Sequence, residues 1–181
     1  MSCNVTQGFT LGCRSNTGGI TSIYILSGSI SSIDETSGAI DAISGSGTFF
    51  EFQLPRNVGQ FSETPNASLE AGTVFYEQTV DIAIHKLQTS IRNQVNTITK
   101  NPDLKIIVKT NNGTEDGVGQ YLYVGRYRGM SVSGGTGGTG TNFGDQNGYA
   151  LTFTGQEPQP FFEINTTGGD LATALSGITV G

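Results

Sequence analysis

Tryptophan is absent from this chain of 181 residues, and cysteine, histidine and proline are scarce, at two, one and five residues. Cys3 and Cys13 cannot supply the framework of bridges that stabilises small secreted domains, so they are expected as free thiols of a reducing compartment. The lone histidine, His85, has no Cys or His near it in sequence and therefore no metal-site partners of suitable spacing. Charge is sparse too: 13% of residues are Asp, Glu, Lys or Arg, about half the roughly 25% usual in globular chains. Nine bases against fifteen acids leave a net charge of -6, which argues against a protein that grips nucleic acid through its phosphates. No run of 18 apolar residues is present, so no transmembrane helix is expected. The first residues lack the basic start and apolar core of a secretory signal.

What the chain does have is glycine, 27 residues of it, and a polar surface drawn from Thr, Ser, Asn and Gln. With so many turn formers and so little charge, the composition predicts a mainly β fold and nearly excludes a helical bundle. A single domain over 1–181 is expected, with an N-terminal arm (1–19), a β core (20–165) and a C-terminal tail (166–181). Residues 20–33 are rich in Ile and Ser around Ser27-Gly28 and read as two strands or one bulged strand. Residues 38–47, with Gly38, Gly45 and Gly47, read as a turn region, and 48–54 alternate as a strand. Residues 55–72 carry Pro55 and Pro65 and read as a long loop or extended arm.

Residues 73–85 give the clearest strand signal. Val74, Tyr76, Gln78, Val80, Ile82 and Ile84 occupy one face, and Phe75, Glu77, Thr79, Asp81, Ala83 and His85 the other. Leu87, Ile91, Val95 and Ile98 then form one apolar stripe at helical spacing, predicting a helix over about 87–99 that Asn101-Pro102 stops. Further strands are expected at 104–110, 121–127, 149–154 and 161–164, with a hairpin turn at Asn112-Gly113 and a low-complexity loop over 133–148. The last sixteen residues resemble a tail that orders only by lying on something.

Motifs that would carry chemistry fail on their context. Gly135-Thr-Gly-Gly-Thr-Gly140 fits the dinucleotide pattern, but the residues after it cannot start the helix that would hold a pyrophosphate. Asp145-Gln-Asn-Gly148 lacks the spacing and terminal Glu of a calcium loop. Asp81 and His85 share a strand face but stand about 13 Å apart, too far for a catalytic pair. Glu77 and Asp81 have the spacing of a negatively charged wall more than that of an acid–base couple. Neither an enzyme activity nor a cofactor nor a metal is expected.

The charges are segregated along the chain. Residues 34–85 hold eight acids and one base, Arg56; residues 86–128 hold seven bases and three acids; beyond Arg128 there are four acids and no base. Such a reversal fits either a solvated surface or self-association, in which an acidic face of one copy meets a basic face of the next.

Several stretches resemble the tail tube-type structural proteins of tailed bacteriophages. They are Leu11-Gly-Cys-Arg-Ser-Asn-Thr-Gly-Gly-Ile20, Phe75-Tyr-Glu-Gln-Thr-Val80, the helix from Lys86, the hairpin around Asn112-Gly113, and Gly144-Asp-Gln-Asn-Gly-Tyr-Ala-Leu-Thr-Phe-Thr-Gly155. The resemblance implies a β-barrel or β-sandwich of the tail tube type flanked by one α-helix, a fold shared with the inner tubes of contractile injection systems. It implies six copies in a ring, each lending strands to a continuous inner barrel, and rings stacked into a tube that conducts DNA during ejection. The implied partners are further copies of the chain, then terminator, baseplate or hub proteins, and a sheath. The implied location is the virion tail, assembled in the host cytoplasm. Under this reading Glu77, Thr79 and Asp81 are candidate lumen-lining residues, where a negative wall lets DNA slide. Arg56, Glu63, Lys105, Arg126, Arg128, Gly137 and Asp145 are candidate contacts between subunits, on two different faces as head-to-tail rings require. Two alternatives stand beside it: a connector, ring or hub protein of the virion, and a free-standing β-sandwich that binds glycans on a platform of Tyr121, Tyr123 and Tyr127.

Overall fold

The computed structural model describes residues 5, 7–10, 16–113, 119–166 and 170–181; Cys3, Cys13 and residues 11–15 of the first resembling stretch lie outside them. In chain order the elements are β1 (Ile20–Thr36), β2 (Ala39–Gln53), β3 (Gln60–Ser68), β4 (Thr73–His85), α1 (Thr89–Lys100), β5 (Ile106–Gly113), β6 (Gly119–Val124), β7 (Ser131–Gly138), β8 (Gly148–Glu157) and β9 (Phe162–Ile164). A 3-10 turn (Leu171–Ala174) and β10 (Leu175–Val180) follow. The described residues are mainly β: a closed five-stranded barrel, a second sheet against its wall, and one α-helix.

The barrel runs β1-β5-β6-β9-β2 and closes by pairing β2 back onto β1; β10 lies parallel to β2 as an added strand. The second sheet has the order β3-β4-β8-β7 and is antiparallel throughout. Where the wall strands are covered on both faces, at residues 23–26 of β1, 106–108 of β5 and 121–124 of β6, they read as continuous apolar runs. Ile23, Ile25, Ile106, Val108, Leu122 and Val124 point outward to meet Val80, Ile82, Leu151 and Phe153 of the second sheet. Tyr24, Leu26, Ile107, Tyr121 and Tyr123 point inward to fill the barrel with Ile40, Ile43, Phe49 and Phe162. The helix starts at Thr89 and sends Ile98 into the space between the sheets; Pro102 follows its end.

Residues 20–36 are one strand with bulges at Ile30/Ser32 and Asp34/Glu35, the second of the two readings of 20–33. Several other sequence expectations are corrected. The turn predicted across 38–47 is confined to Ser37-Gly38, both at positive φ (55° and 86°), and β2 has already begun at Ala39. Gly47 sits inside that strand opposite Gly28, where the two backbones approach too closely for any Cβ. Residues 60–68 of the expected arm form β3, with Pro65 tolerated because β3 is a sheet edge and its nitrogen owes no bond to a further strand. The glycine tract begins as strand β7, leaving 139–147 as the loop. In place of a two-residue turn at Asn112-Gly113, β5 runs to Gly113 and pairs it with Gly119. The tail does lie on something, namely β2 of its own chain, and buries Leu171, Ala174 and Ile178 in the barrel.

One polar atom inside the barrel stands out. Tyr123 is fully buried and its hydroxyl has no hydrogen-bond partner among the described residues, and burial pushes its pKa well up. Tyr123→Phe is therefore expected to stabilise the protein by about 1 kcal/mol, since it removes an unpaid desolvation without opening a cavity. Urea melts of the two proteins would check this. A destabilised variant would mean that the hydroxyl has a bound water.

Candidate assembly interface

On the outer face of the second sheet the three central cross-strand rows are polar, with Asp81 and Glu77 their charged members, and Phe75 and Ala83 continue the β4 face on either side. Gln60, Asp81, Thr152 and Gly134 form one row, Ser62, Thr79, Thr154 and Ser131 the next, and Thr64, Glu77 and Gln156 a third. The sequence-predicted trio of Glu77, Thr79 and Asp81 thus sits together down the centre of this face. Asp81 accepts hydrogen bonds from Gln60 Nε2 (2.7 Å) and Thr152 Oγ1 (2.6 Å), whereas Glu77 is exposed. No lysine or arginine occupies these rows.

Both edges of the sheet are open among the described residues: β3 on one side and β7 on the other have a single partner each. The two ends of the sheet differ as well. At one end the β3–β4 hairpin reaches beyond β8, whose pairing stops at Tyr76↔Glu157. Its tip carries Leu69 at 99% exposure and Val74 at 56%. At the other end, loop 139–147 presents Phe143 wholly to solvent. Asp145 shapes this loop by accepting from the backbone N–H groups of Asn142 (2.7 Å) and Thr141 (2.8 Å). Those bonds hold its carboxyl below the usual range.

The residues expected to bridge subunits divide into two groups. Arg56 and Arg128 are exposed, and Gly137 lies on the open edge β7. Four others are engaged within the chain. Arg126 pairs with Glu35 and stacks its guanidinium 4.3 Å from the centre of the Phe162 ring. Lys105 binds Asp103 (2.7 Å) and the carbonyl of Gly125 (3.1 Å). Glu63 accepts from Gln78 Nε2 (2.9 Å) and the Phe161 N–H (2.8 Å), and Asp145 serves its own loop. Each of these four thus already has a partner within its own chain.

Sequence reasoning missed a buried polar knot at the end of the second sheet. Glu157 is 2% exposed, and its carboxylate accepts from three successive backbone N–H groups, Tyr127 (2.9 Å), Arg128 (2.8 Å) and Gly129 (3.1 Å). Gln78 beside it accepts from the Gly125 N–H (3.0 Å) while donating to Glu63. Together they fix the β6–β7 connection against the sheet. The one available signal was Gln78 itself, a polar residue in the middle of the apolar face of β4.

The tyrosine platform is overturned. Tyr121 and Tyr123 are buried inside the barrel, and only Tyr127, beyond the end of β6, is exposed. His85 lies exposed at the end of β4, and among the described residues no group of three His, Cys, Asp or Glu could hold a metal ion. No described helix is long and apolar enough to cross a membrane. A groove of about 230 Å³ opens between α1 and the β1–β2 pair. The protein thus belongs structurally to the class of barrels with an appended, open-edged antiparallel sheet. A scan against family models gives no match, and neither curated proteins nor solved structures match significantly.

Proposed function

We propose that the protein is a self-assembling structural subunit of a virion tail, forming rings that stack into a tube whose lumen conducts DNA. The observation that carries this reading is the open sheet β3-β4-β8-β7. Its four strands alternate in direction, so β3 and β7 run opposite ways. Copies related by rotation about an axis along the strands therefore set β7 of one beside β3 of the next as an antiparallel pair, and the sheet continues without a mismatch. Six copies would align about 24 strands, a circumference near 115 Å and a backbone diameter near 37 Å before strand tilt widens it.

The face of hydroxyls, amides and the two acids Glu77 and Asp81 suits the lumen of such a barrel. With no lysine or arginine in its rows it offers phosphates no ion pair, and its two acids repel them, so a passing duplex would slide. The exposed apolar groups at opposite ends of the sheet, Leu69 and Phe143, suit contact between successive rings. Terminator, baseplate or hub and sheath proteins would then be partners at the ends and outside of the tube. A connector or hub would use the same lateral pairing at one level only.

Negative-stain electron microscopy across a concentration series, with light scattering for mass, tests the proposal. Stacked rings or tubes are the expected result. Isolated rings would favour the connector or hub, and a monomer of 19.0 kDa at every concentration would defeat the reading.

A further inference from the structure

We infer that residues 5–10 of a neighbouring copy add as a strand to the open edge of β1 and seat Phe9 in the groove beneath α1. The groove has an apolar floor of Ile25, Ile98 and Leu104, and Phe50 and Phe52 line its side. Four successive residues of β1, 25–28, line another side. On this side β1 pairs with β5 only as far as Ile25↔Ile106, and the last backbone bond runs from Leu26 N–H to the Lys105 carbonyl. Gly28 has the same outward parity as Leu26, and no described strand meets it there. An unpaired strand edge beside a pocket for one large side chain is the geometry that takes an added peptide strand.

The occupant follows from composition and reach. Residues 5–10, Val-Thr-Gln-Gly-Phe-Thr, carry no charge, and Asp103 and Lys105 at the groove rim neutralise each other. Val5, Gln7 and Phe9 fall on one face of a strand, and Val5 and Phe9 stand 92% and 91% exposed in the isolated chain. Its own copy cannot use this segment. Asn16 and Thr17 are tied to Asn112 (2.7 and 2.6 Å), at the end of β5 away from the groove. From Asn112 back to Ile106 and on to Gly28 is about 30 Å along the strands, while the seven residues from Phe9 to Asn16 span at most about 25 Å. A second copy supplies the segment, whether or not the copies close into rings.

The full chain with Phe9→Trp tests this, because the introduced indole is its only one. Acrylamide quenching of that indole is expected to fall several-fold as light scattering reports association. The fall should vanish in Phe9→Trp/Thr97→Arg, where a long side chain from the exposed face of α1 fills the groove. Association with the indole still open to quencher would overturn the inference and leave the ring reading standing. Shielding in the dilute monomer, or shielding that survives Thr97→Arg, would overturn it as well. A chain that stays monomeric at every concentration would defeat both, and paired or chained copies without rings would support this inference against the tube.

Discussion

Gly47→Val is expected to abolish folding of the barrel. A Cβ at Gly47 would lie within 2.7 Å of the Gly28 Cα, and closer still to the Ser27 carbonyl oxygen. The residue also holds φ at 119°, which a β-branched side chain adopts only at a cost of about 1–3 kcal/mol. Neither strand can give way alone, because β2 is paired to β1 on one side and to β10 on the other. Forcing them apart sacrifices ladder bonds across the middle of the barrel wall. The total exceeds about 5 kcal/mol, comparable with the whole stability of an ordinary domain. Circular dichroism and thermal melts would show the loss, with Gly38→Asn as the control. Gly38 also has positive φ, but open space surrounds its Cβ position and asparagine tolerates that region. A Gly47→Val protein with the wild-type melting transition would refute this account of the strand crossing.

Glu157→Ala is expected to cost about 3–5 kcal/mol, since hydrogen bonds to a charged acceptor contribute about 1.5–3 kcal/mol each and water can replace only part of them. Three N–H groups would lose their acceptor together, and the loop that also carries the Gly125 N–H bond to Gln78 would loosen. Glu157→Gln keeps one carbonyl oxygen but turns an amide group toward a donor, so about half that cost is expected. The acid is held by oriented backbone dipoles instead of a cation. Urea melts at constant m-value would measure the series, and an alanine variant within 1 kcal/mol of wild type would show that the knot is dispensable.

The elements most legible in the sequence were those whose period survives without tertiary help. Residues 73–85 gave β4 at both ends, and the stripe through Ile91, Val95 and Ile98 gave α1 to within two residues. Glycine and proline misled where the chain uses them for close approach or an edge. Gly45 and Gly47 looked like turns because nothing local reveals that another backbone lies against them, and Pro65 looked like a loop because edge position is a property of the sheet. The inward tyrosines were hidden for a related reason: on a wall strand buried on both faces, alternation does not tell inside from out. At the candidate interface, Glu77, Thr79 and Asp81 were found on one face because period two places them there. Linear charge blocks could not show that Arg126 is paired within the chain, since its partner, the carboxylate of Glu35, arrives only through folding; the Asp103 that pairs with Lys105 is two residues away and was masked only by counting charge in blocks.

The parallel strand that covers β2 also sets the order of events during synthesis. β1 and β2 are neighbours in sequence and can pair as soon as both have left the ribosome. Ile43 meets Leu175 only after about 130 further residues have been made. Until then the cluster of Ile40, Ile43 and Phe49 lacks Leu171, Ala174 and Ile178. Contacts of such long range fold slowly, because the loop must close before any of them is gained. Residues 171–180 therefore act as a latch, whose docking on β2 completes the barrel interior only after all the strands of its wall have been made.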